Sequence, residues 1–308
     1  MSIFATSTSA FYERSMHSLS ALRSQAEDLQ NQISTNSKIT RSSDDPLAAS
    51  QLRALARADA VGMIDTAAAN RATTDLNLTD TALTQFANYV SRAQVLATQA
   101  ASTLLPAAER ASIASELAQI HQGLVGLANT RDGAGHALFG GDSPGDAYQI
   151  NATTGMAEYI GSGSAGQLSL GDGQMVSRSL TGPEFLSFKD AAGNSTDLMA
   201  VVKSLSDALA GGSASTAAAA SAALGSLTNG LDAITTAQTV VGSRLSWIDL
   251  STERQQAMSE ARSSQQQDIG APDLSSALAR LQQLSTVLEA SQSSFSKLAN
   301  LSLFDFLR

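Results

Sequence analysis

Residues 274–302 of this chain read LSSALARLQQLSTVLEASQSSFSKLANLS, with apolar side chains spaced alternately three and four residues apart. That spacing places the apolar side chains in one narrow stripe along a helix, which is the seam of a coiled coil. The seam positions are Leu274, Ala277, Leu281, Leu284, Leu288, Ser291, Phe295, Leu298 and Ser302. The stripe predicts a C-terminal helix that packs lengthwise against a second helix.

The N-terminal end of the chain carries a matching stripe. Its positions are Tyr12, Ser15, Leu19, Leu22, Ala26, Leu29 and Ile33. Two narrow stripes at opposite ends of one chain can cover each other, so the terminal helices are expected to pair. The predicted fold is therefore mainly α, a long antiparallel helical bundle or coiled coil formed by the N- and C-terminal segments, with a small β-rich insert.

Further heptad spacing predicts long helices between the two ends. Pro46 follows a polar stretch and fits the first position of a helix, because the missing proline N–H would be unpaired there. Pro106 marks a further helix start. Asp44 and Asp45 stand just before Pro46, where a carboxylate can cap free N–H groups. The predicted core positions are Leu76, Thr79, Leu83, Phe86, Val90, Ala93, Ala97, Ala100 and Leu104, then Ile113, Leu117, Ile120, Leu124 and Leu127. A third run is Leu224, Leu227, Leu231, Ile234, Gln238, Val241, Leu245 and Ile248.

The centre of the chain has a different composition. Twelve of the 22 glycines fall between Gly133 and Gly182, with short alternating apolar runs between them. This pattern predicts short strands joined by turns. The segment from Thr196 to Ala210 is predicted to be helical, and the Ala/Ser run that ends at Ala223 is predicted to be a flexible or weakly helical link.

These patterns divide the chain into three predicted parts. Residues 1–40 and 270–308 form a terminal coiled-coil assembly region, 41–138 and 215–269 form a helical rod, and 139–214 form a β-rich outer insert. The insert is expected to be removable without loss of the helical core.

Composition argues against several classes of function. The chain has 308 residues, a net charge of −9 and no clustered basic residues, so we expect no nucleic-acid partner. The absence of Cys excludes disulfides and thiolate metal sites, and the three His residues stand far apart, so no metal and no cofactor are predicted. The first residues do not form a Sec signal peptide pattern, and no apolar stretch is long enough to insert into a membrane.

Two short motifs resemble catalytic or nucleotide-binding signatures and fail on chemistry. Gly141-Asp142-Ser143-Pro144-Gly145 matches G-x-S-x-G, but Pro144 lacks the N–H that an oxyanion hole needs. The stretch 161–166 matches G-x-G-x-x-G but runs into a strand-like sequence rather than a helix, so a turn is predicted. We therefore predict no catalytic residue and no enzyme activity, with an enzyme site in the insert as a disfavoured alternative.

The last residues, 301–307, are rich in large apolar side chains. Apolar groups gathered at an exposed end indicate a surface for a partner. Together with the two stripes they define a predicted assembly interface. Its residues are Leu19, Leu22, Leu29, Ile33, Leu274, Leu281, Leu284, Leu288, Phe295, Leu298, Leu303, Phe304 and Phe306.

Several motifs, in this order and spacing, resemble the flagellin superfamily. Asp44-Asp45-Pro46-Leu47-Ala48-Ala49 follows the amphipathic first helix, and its Asp-Asp-Pro form is similar to the hook–filament junction branch. The run from Asn129 to Gly133 that leads to Leu138-Phe139-Gly140-Gly141 resembles that branch's exit into an outer domain. Gly242-Ser243-Arg244-Leu245 and Leu301-Ser302-Leu303-Phe304 also fit.

The resemblance implies a structural subunit of the extracellular bacterial flagellum, exported unfolded through the flagellar type III channel. It implies a homo-oligomeric ring between hook and filament, in contact with the other junction protein, with flagellin and with a cytoplasmic export chaperone. Two alternatives remain open from the residues. One is a flagellin filament subunit; the other is a secreted coiled-coil adhesin or effector, which would need no pairing between residues 12–33 and 274–298.

Overall fold

Seven helices and six short strands make up the part of the chain that the computed structural model describes. It describes residues 3–190, 193–212 and 215–306, and the backbone alone for 3–9, 11 and 298–306. The helices are α1 (Ile3–Thr35), α2 (Pro46–Ala100), α3 (Ala107–Ala128), α4 (Gly182–Leu186), α5 (Leu198–Ala210), α6 (Thr216–Gly270) and α7 (Leu274–Phe306). The strands are β1 (Tyr148–Ile150), β2 (Ala157–Tyr159), β3 (Gln167–Gly171), β4 (Gln174–Ser177), β5 (Ser187–Lys189) and β6 (Ser195–Asp197).

The described chain divides into two compact units. One contains residues 1–60 and 258–308, and the other contains 61–257. The three-part division drawn from the sequence remains a prediction. No helix among the described residues has the length and apolar character that crossing a membrane requires.

The starts of α2 and α3 confirm the proline signals. Helix α2 begins at Pro46, and Pro106 has extended backbone angles immediately before α3. Asp45 accepts a hydrogen bond from the Ala48 N–H at 2.9 Å, so it caps α2 as predicted. Asp44 instead accepts from the Arg41 N–H at 2.8 Å and stabilises the preceding turn.

Helices α2 and α6 run antiparallel in the larger unit. The two chain directions follow from three pairs of side chains. Thr66 contacts Gln255 at 3.1 Å, Thr84 contacts Gln238 at 3.2 Å, and Gln94 contacts Thr228 at 3.4 Å. As the residue number rises along α2, it falls along α6.

The core of the larger unit follows the predicted heptads. The fully buried positions on α2, α3 and α6 include Leu76, Leu83, Phe86, Val90, Ala97, Leu117, Leu124, Leu227, Ile234, Val241 and Ile248. Leu104 is the exception, with 90% of its surface exposed. Helix α2 ends at Ala100, so the chain has left the helix before it reaches Leu104 and the predicted stripe does not continue to it.

The insert contains three two-stranded antiparallel sheets, which confirms its predicted β-rich character. Strand β1 pairs with β2, β3 with β4, and β5 with β6. The turn between β3 and β4 uses Gly171, Asp172 and Gly173, all with positive φ. Glycine adopts that conformation without steric cost, which explains the glycine density of this part of the chain.

The insert shares its core with the helices. Phe185 of α4 lies between Phe86 of α2 and Phe139, with ring centroids 5.2 Å and 4.9 Å away. Tyr148 and Leu170 of the strands belong to the same buried cluster. These contacts argue against the expectation that the insert can be removed without loss of the helical core, because side chains of the insert fill part of that core.

Three local predictions also need correction. The short helix α4 and the strand pair β5–β6 have too few residues to show a period in the sequence, and they were missed. Thr196 and Asp197 belong to β6, so α5 begins only at Leu198. The Ala-rich run to Ala223, predicted to be a flexible or weakly helical link, is helical from Thr216 as the first part of α6, and Ala220 is fully buried.

Candidate assembly interface

The two terminal helices α1 and α7 pack against each other in the smaller unit. Near one end, the rings of Tyr12 and Phe295 meet edge to face, with centroids 5.4 Å apart and an interplanar angle of 89°. Near the other end, the Lys38 N–H donates to the Gly270 carbonyl at 2.7 Å, just before α7 begins. The helices are therefore antiparallel, and the predicted pairing of the two chain ends is confirmed.

The predicted seam residues lie between these helices. Leu19, Leu22, Leu29 and Ile33 of α1 and Leu281, Leu284, Leu288 and Phe295 of α7 are all half-buried. The interleaved positions Ser18, Glu27 and Glu289 are exposed. A pair of helices can bury only one side of each seam residue, so half burial is what a two-helix contact gives.

The remaining predicted interface residues are Leu274 and four residues near the end of α7. Leu274 stands at the first position of α7 and is 45% exposed. Leu298, Leu303, Phe304 and Phe306 fall within α7, but their side chains lie outside the described part of the structure. Their role in assembly stays a prediction.

A groove of about 300 Å³ opens beside the seam. Leu19, Leu22 and Phe295 supply its apolar wall. Arg14, Ser15, Ser18, Ser291 and Ser294 complete the lining. The seam serines Ser15 and Ser291 fill less space than leucine would, so the two helices bury less apolar surface beside this groove.

Several apolar side chains on the same helices face away from the seam, and the sequence pattern did not single them out. Met16 is 60% exposed, Leu278 is 49% exposed and Val287 is 40% exposed. They fall off the three-four spacing, so periodicity gives no signal for them. Their exposure adds apolar area to the terminal helix pair that a partner could cover.

A polar contact joins the long helices within the smaller unit. Arg262 of α6 contacts Asp59 of α2 at 2.6 Å, and Gln266 donates to the other oxygen of Asp59 at 2.6 Å. The hydrogen bond from Arg262 lowers the pKa of Asp59 below its ordinary value. Asp59 is therefore a fixed anion that holds the register of α2 against α6.

The suspected chemical motifs are turns in the structure. Gly141 has a φ of +67°, and a side chain there would collide with Ser162 and Ser164. Ser162 itself accepts from the Asp142 N–H at 2.7 Å and donates to the Ser164 carbonyl at 3.0 Å. Both glycine-rich motifs thus meet in one loop contact, in which backbone groups engage the Ser162 hydroxyl.

Histidines and carboxylates in the described chain do not gather into a metal site. Among the described residues there is no group of three or more His, Asp or Glu side chains placed to hold a metal ion. His17 and His136 are exposed, whereas His121 is buried within the larger unit. Asp44 and Asp45 are both engaged in backbone hydrogen bonds.

Sequence comparison matches the chain to flagellar proteins. Residues 6–143 match the family model of the bacterial flagellin N-terminal helical region. Over 135 residues the chain is 34% identical to flagellar hook-associated protein 3 of Salmonella typhimurium. That match covers 44% of this chain and 43% of the relative, so the chain spans less than half the length of the curated protein it matches.

Solved structures match a larger share of this chain than the curated sequence does. A putative flagellar hook-associated protein from Vibrio parahaemolyticus gives a TM-score of 0.67 at 20% identity, covering 74% of this chain and 100% of that chain. FlgL of Xanthomonas campestris gives a TM-score of 0.61 at 18% identity, covering 68% of this chain and 98% of that chain. These structures confirm the predicted fold class. The sequence matches confirm the predicted resemblance to the flagellin superfamily and, within it, to hook-associated protein 3.

Proposed function

We propose that this protein is a structural subunit of the bacterial flagellum that joins the hook to the filament. The observation that carries this proposal is the 34% identity to a protein named flagellar hook-associated protein 3. We infer that the role is structural rather than catalytic, because the two suspected catalytic motifs are loop contacts.

The paired chain ends support an assembly role. A secreted adhesin or effector would not require residues 12–33 to meet residues 274–298, whereas α1 and α7 pack along each other. In the proposed polymer the half-buried seam and the exposed Met16, Leu278 and Val287 would be covered by neighbouring subunits. Burial of a large apolar side chain contributes about 1.5–3 kcal/mol, so a few such residues are enough to drive association.

The proposal extends to partners and location. The subunits would form a ring in the extracellular flagellum, in contact with the other hook-associated junction protein and with flagellin. A cytoplasmic chaperone would bind the chain before export through the type III channel. In this arrangement residues 1–40 and 270–308 form the assembly region, 41–138 and 215–269 the rod, and 139–214 the outer insert.

A filament subunit is the second candidate, because the matched family model describes the N-terminal region of flagellin itself. The two candidates differ in where the protein lies on a flagellum. Immunogold labelling of purified native flagella should place the label at a single point between hook and filament. Label along the whole filament would favour the filament subunit, and label on the cell surface away from flagella would exclude both.

A further inference from the structure

His121 is a titratable side chain enclosed in the core of the larger unit. It lies on α3, only 3% of its surface is exposed, and α3 packs along α5. Its Nε2 atom is shielded from solvent and has no hydrogen-bonding partner among the described residues. A buried polar group without a partner is uncommon, and it is costly if that group becomes charged.

The charged groups around His121 compensate a positive charge only in part. The positive charge of Lys203 on α5 acts on it, and Lys203 is itself paired with Asp207 at 2.5 Å. From α2, the ring of Tyr89 packs at Gly123, two residues further along α3. Burial lowers the pKa of His121, Lys203 lowers it further, and Asp207 offsets part of the effect. Folding therefore favours the neutral form of the imidazole.

Helix α5 packs along α3, the helix that carries His121. Its buried residues Met199, Val202, Leu205 and Leu209 complete the core, and Ser206 donates to the Ala114 carbonyl of α3 at 2.8 Å. Strand β6 runs directly into α5, so movement of α5 would pull on β6 and on its partner strand β5.

We propose that protonation of His121 releases α5 from its contact with α3. Protonation places an unpaired cation between α3 and α5, beside the Lys203 ammonium. The lowest free energy is reached when the α3–α5 interface opens to water. That opening frees α5 and the preceding strand pair, β5 and β6. The rest of the larger unit keeps its apolar core on α2 and α6.

The sign of the pH dependence follows from the lowered pKa. Because the unfolded chain binds a proton at His121 near its ordinary pKa and the folded chain does not, stability is full above that value and falls as the pH drops. The unfolding equilibrium constant of the wild type should rise by up to about tenfold per pH unit below about pH 6.5, relative to a variant that lacks the imidazole.

Urea unfolding of the purified full-length chain between pH 8 and pH 5 tests this. His121→Leu and the polar His121→Gln should both flatten the acid loss of stability, whereas His17→Leu, at an exposed position of α1, should keep the wild-type profile. Identical profiles for the wild type and a folded His121 variant would overturn the proposal. Two different variants are used because either one alone could fail to fold.

Two further measurements test whether His121 is the group that titrates and whether α5 is the element that opens. Proton NMR should show a His signal that titrates below the ordinary pKa of the side chain, and that signal should vanish in the His121 variants. Hydrogen exchange at pH 5, corrected for intrinsic rates, should speed up in residues 198–210 before it does in α2 and α6. Titration of His121 in the ordinary range, or exchange that rises uniformly over the unit, would contradict a local release.

Discussion

Asn129 connects the end of α3 to the first strand of the insert. Its Oδ1 accepts from the N–H groups of Ala147 and Tyr148 at 2.9 Å and 2.8 Å, and its Nδ2 donates to the Tyr148 carbonyl at 2.8 Å. The sequence marks Asn129 as a helix stop, and it is one. The sequence does not reveal its partners 18 and 19 residues further on, because the tertiary fold brings them next to the end of α3.

Asn129→Ala should destabilise the larger unit. The change leaves two N–H groups and one carbonyl of the buried Ala147–Tyr148 segment unpaired, and each unpaired group costs about 1–3 kcal/mol before water reaches it. We expect a loss of about 2–4 kcal/mol in urea unfolding. Asn77→Ala, at an exposed position of α2, is the matched control and should change stability by less than about 0.5 kcal/mol. An equal effect of the two substitutions would mean that this contact does not hold the insert.

Asp197 gives a residue-scale prediction with the opposite pH dependence to that of His121. It caps α5 by accepting from the Met199 N–H at 2.8 Å, and burial raises its pKa to about 6. A raised pKa means that stability is full below about pH 4 and is lost as the pH rises through about 6. Asp197→Asn keeps an oxygen acceptor for the cap and removes the charge. The variant should be more stable than the wild type by about 1–3 kcal/mol at pH 8, with the difference vanishing near pH 4.

Asp273, which caps α7, is the control for this measurement. It is exposed, and hydrogen bonds from the Ser276 hydroxyl and backbone lower its pKa. Asp273→Asn should therefore not gain stability at pH 8. A gain of similar size in both Asn variants would show that the effect comes from net charge and not from burial of Asp197.

At the scale of elements, the sequence predicts the long helices well and the short elements poorly. Heptad spacing identifies α1, α2, α3, α6 and α7, since many residues repeat one period. It cannot detect where a helix stops, and Leu104 shows this because it keeps the spacing after α2 has ended. Strands β5 and β6 have three residues each, too few for an alternation to stand out.

The α1–α7 seam carries the prediction about assembly. Leu281→Gln with Leu288→Gln replaces two half-buried leucines, each worth about 1–2 kcal/mol when only partly covered and more once a neighbouring subunit covers it. In a strain that lacks its own copy of the gene, the double variant should fail to restore filaments and motility. The larger unit should still unfold like the wild type, because the seam lies outside it.

Gln283→Ala with Ser293→Ala changes two exposed positions of α7 and is the control; this variant should support motility. Full motility with both seam leucines replaced would refute the role of this surface in assembly. The family resemblance would stand in that case, since it rests on residues 6–143.

At the scale of the whole molecule, the sequence predicted the presence of the insert but not its place in the core. Glycine density and short alternating runs indicate strands and turns. They do not indicate that Phe185 packs on Phe86, roughly a hundred residues earlier in the chain. A single large apolar residue in a short irregular stretch carries no periodic signal, so its burial depends on the tertiary fold alone.

Arg244 illustrates the same limit within the larger unit. Its guanidinium donates to the Ser179 carbonyl at 2.8 Å and so ties α6 to the segment after β4. The sequence marked Gly242-Ser243-Arg244-Leu245 only through a resemblance. The physical reason for the arginine becomes clear once α6 and the insert are in place.

Deleting residues 141–189 tests whether the insert and the helices form one cooperative unit. The deletion removes Tyr148, Leu170, Val176, Phe185 and Leu186 from the buried cluster and leaves Phe86 and Phe139 facing water. Loss of Phe185 alone costs about 3–5 kcal/mol, a large share of the 5–15 kcal/mol by which a domain is usually stable. The shortened chain should therefore keep helical circular dichroism but melt broadly, with a smaller urea m-value. Phe185→Ala should reproduce part of that loss, whereas Met175→Ala, at a side chain that is 57% exposed, should behave like the wild type. A sharp, wild-type transition in the deletion variant would mean that the helices hold a complete core of their own.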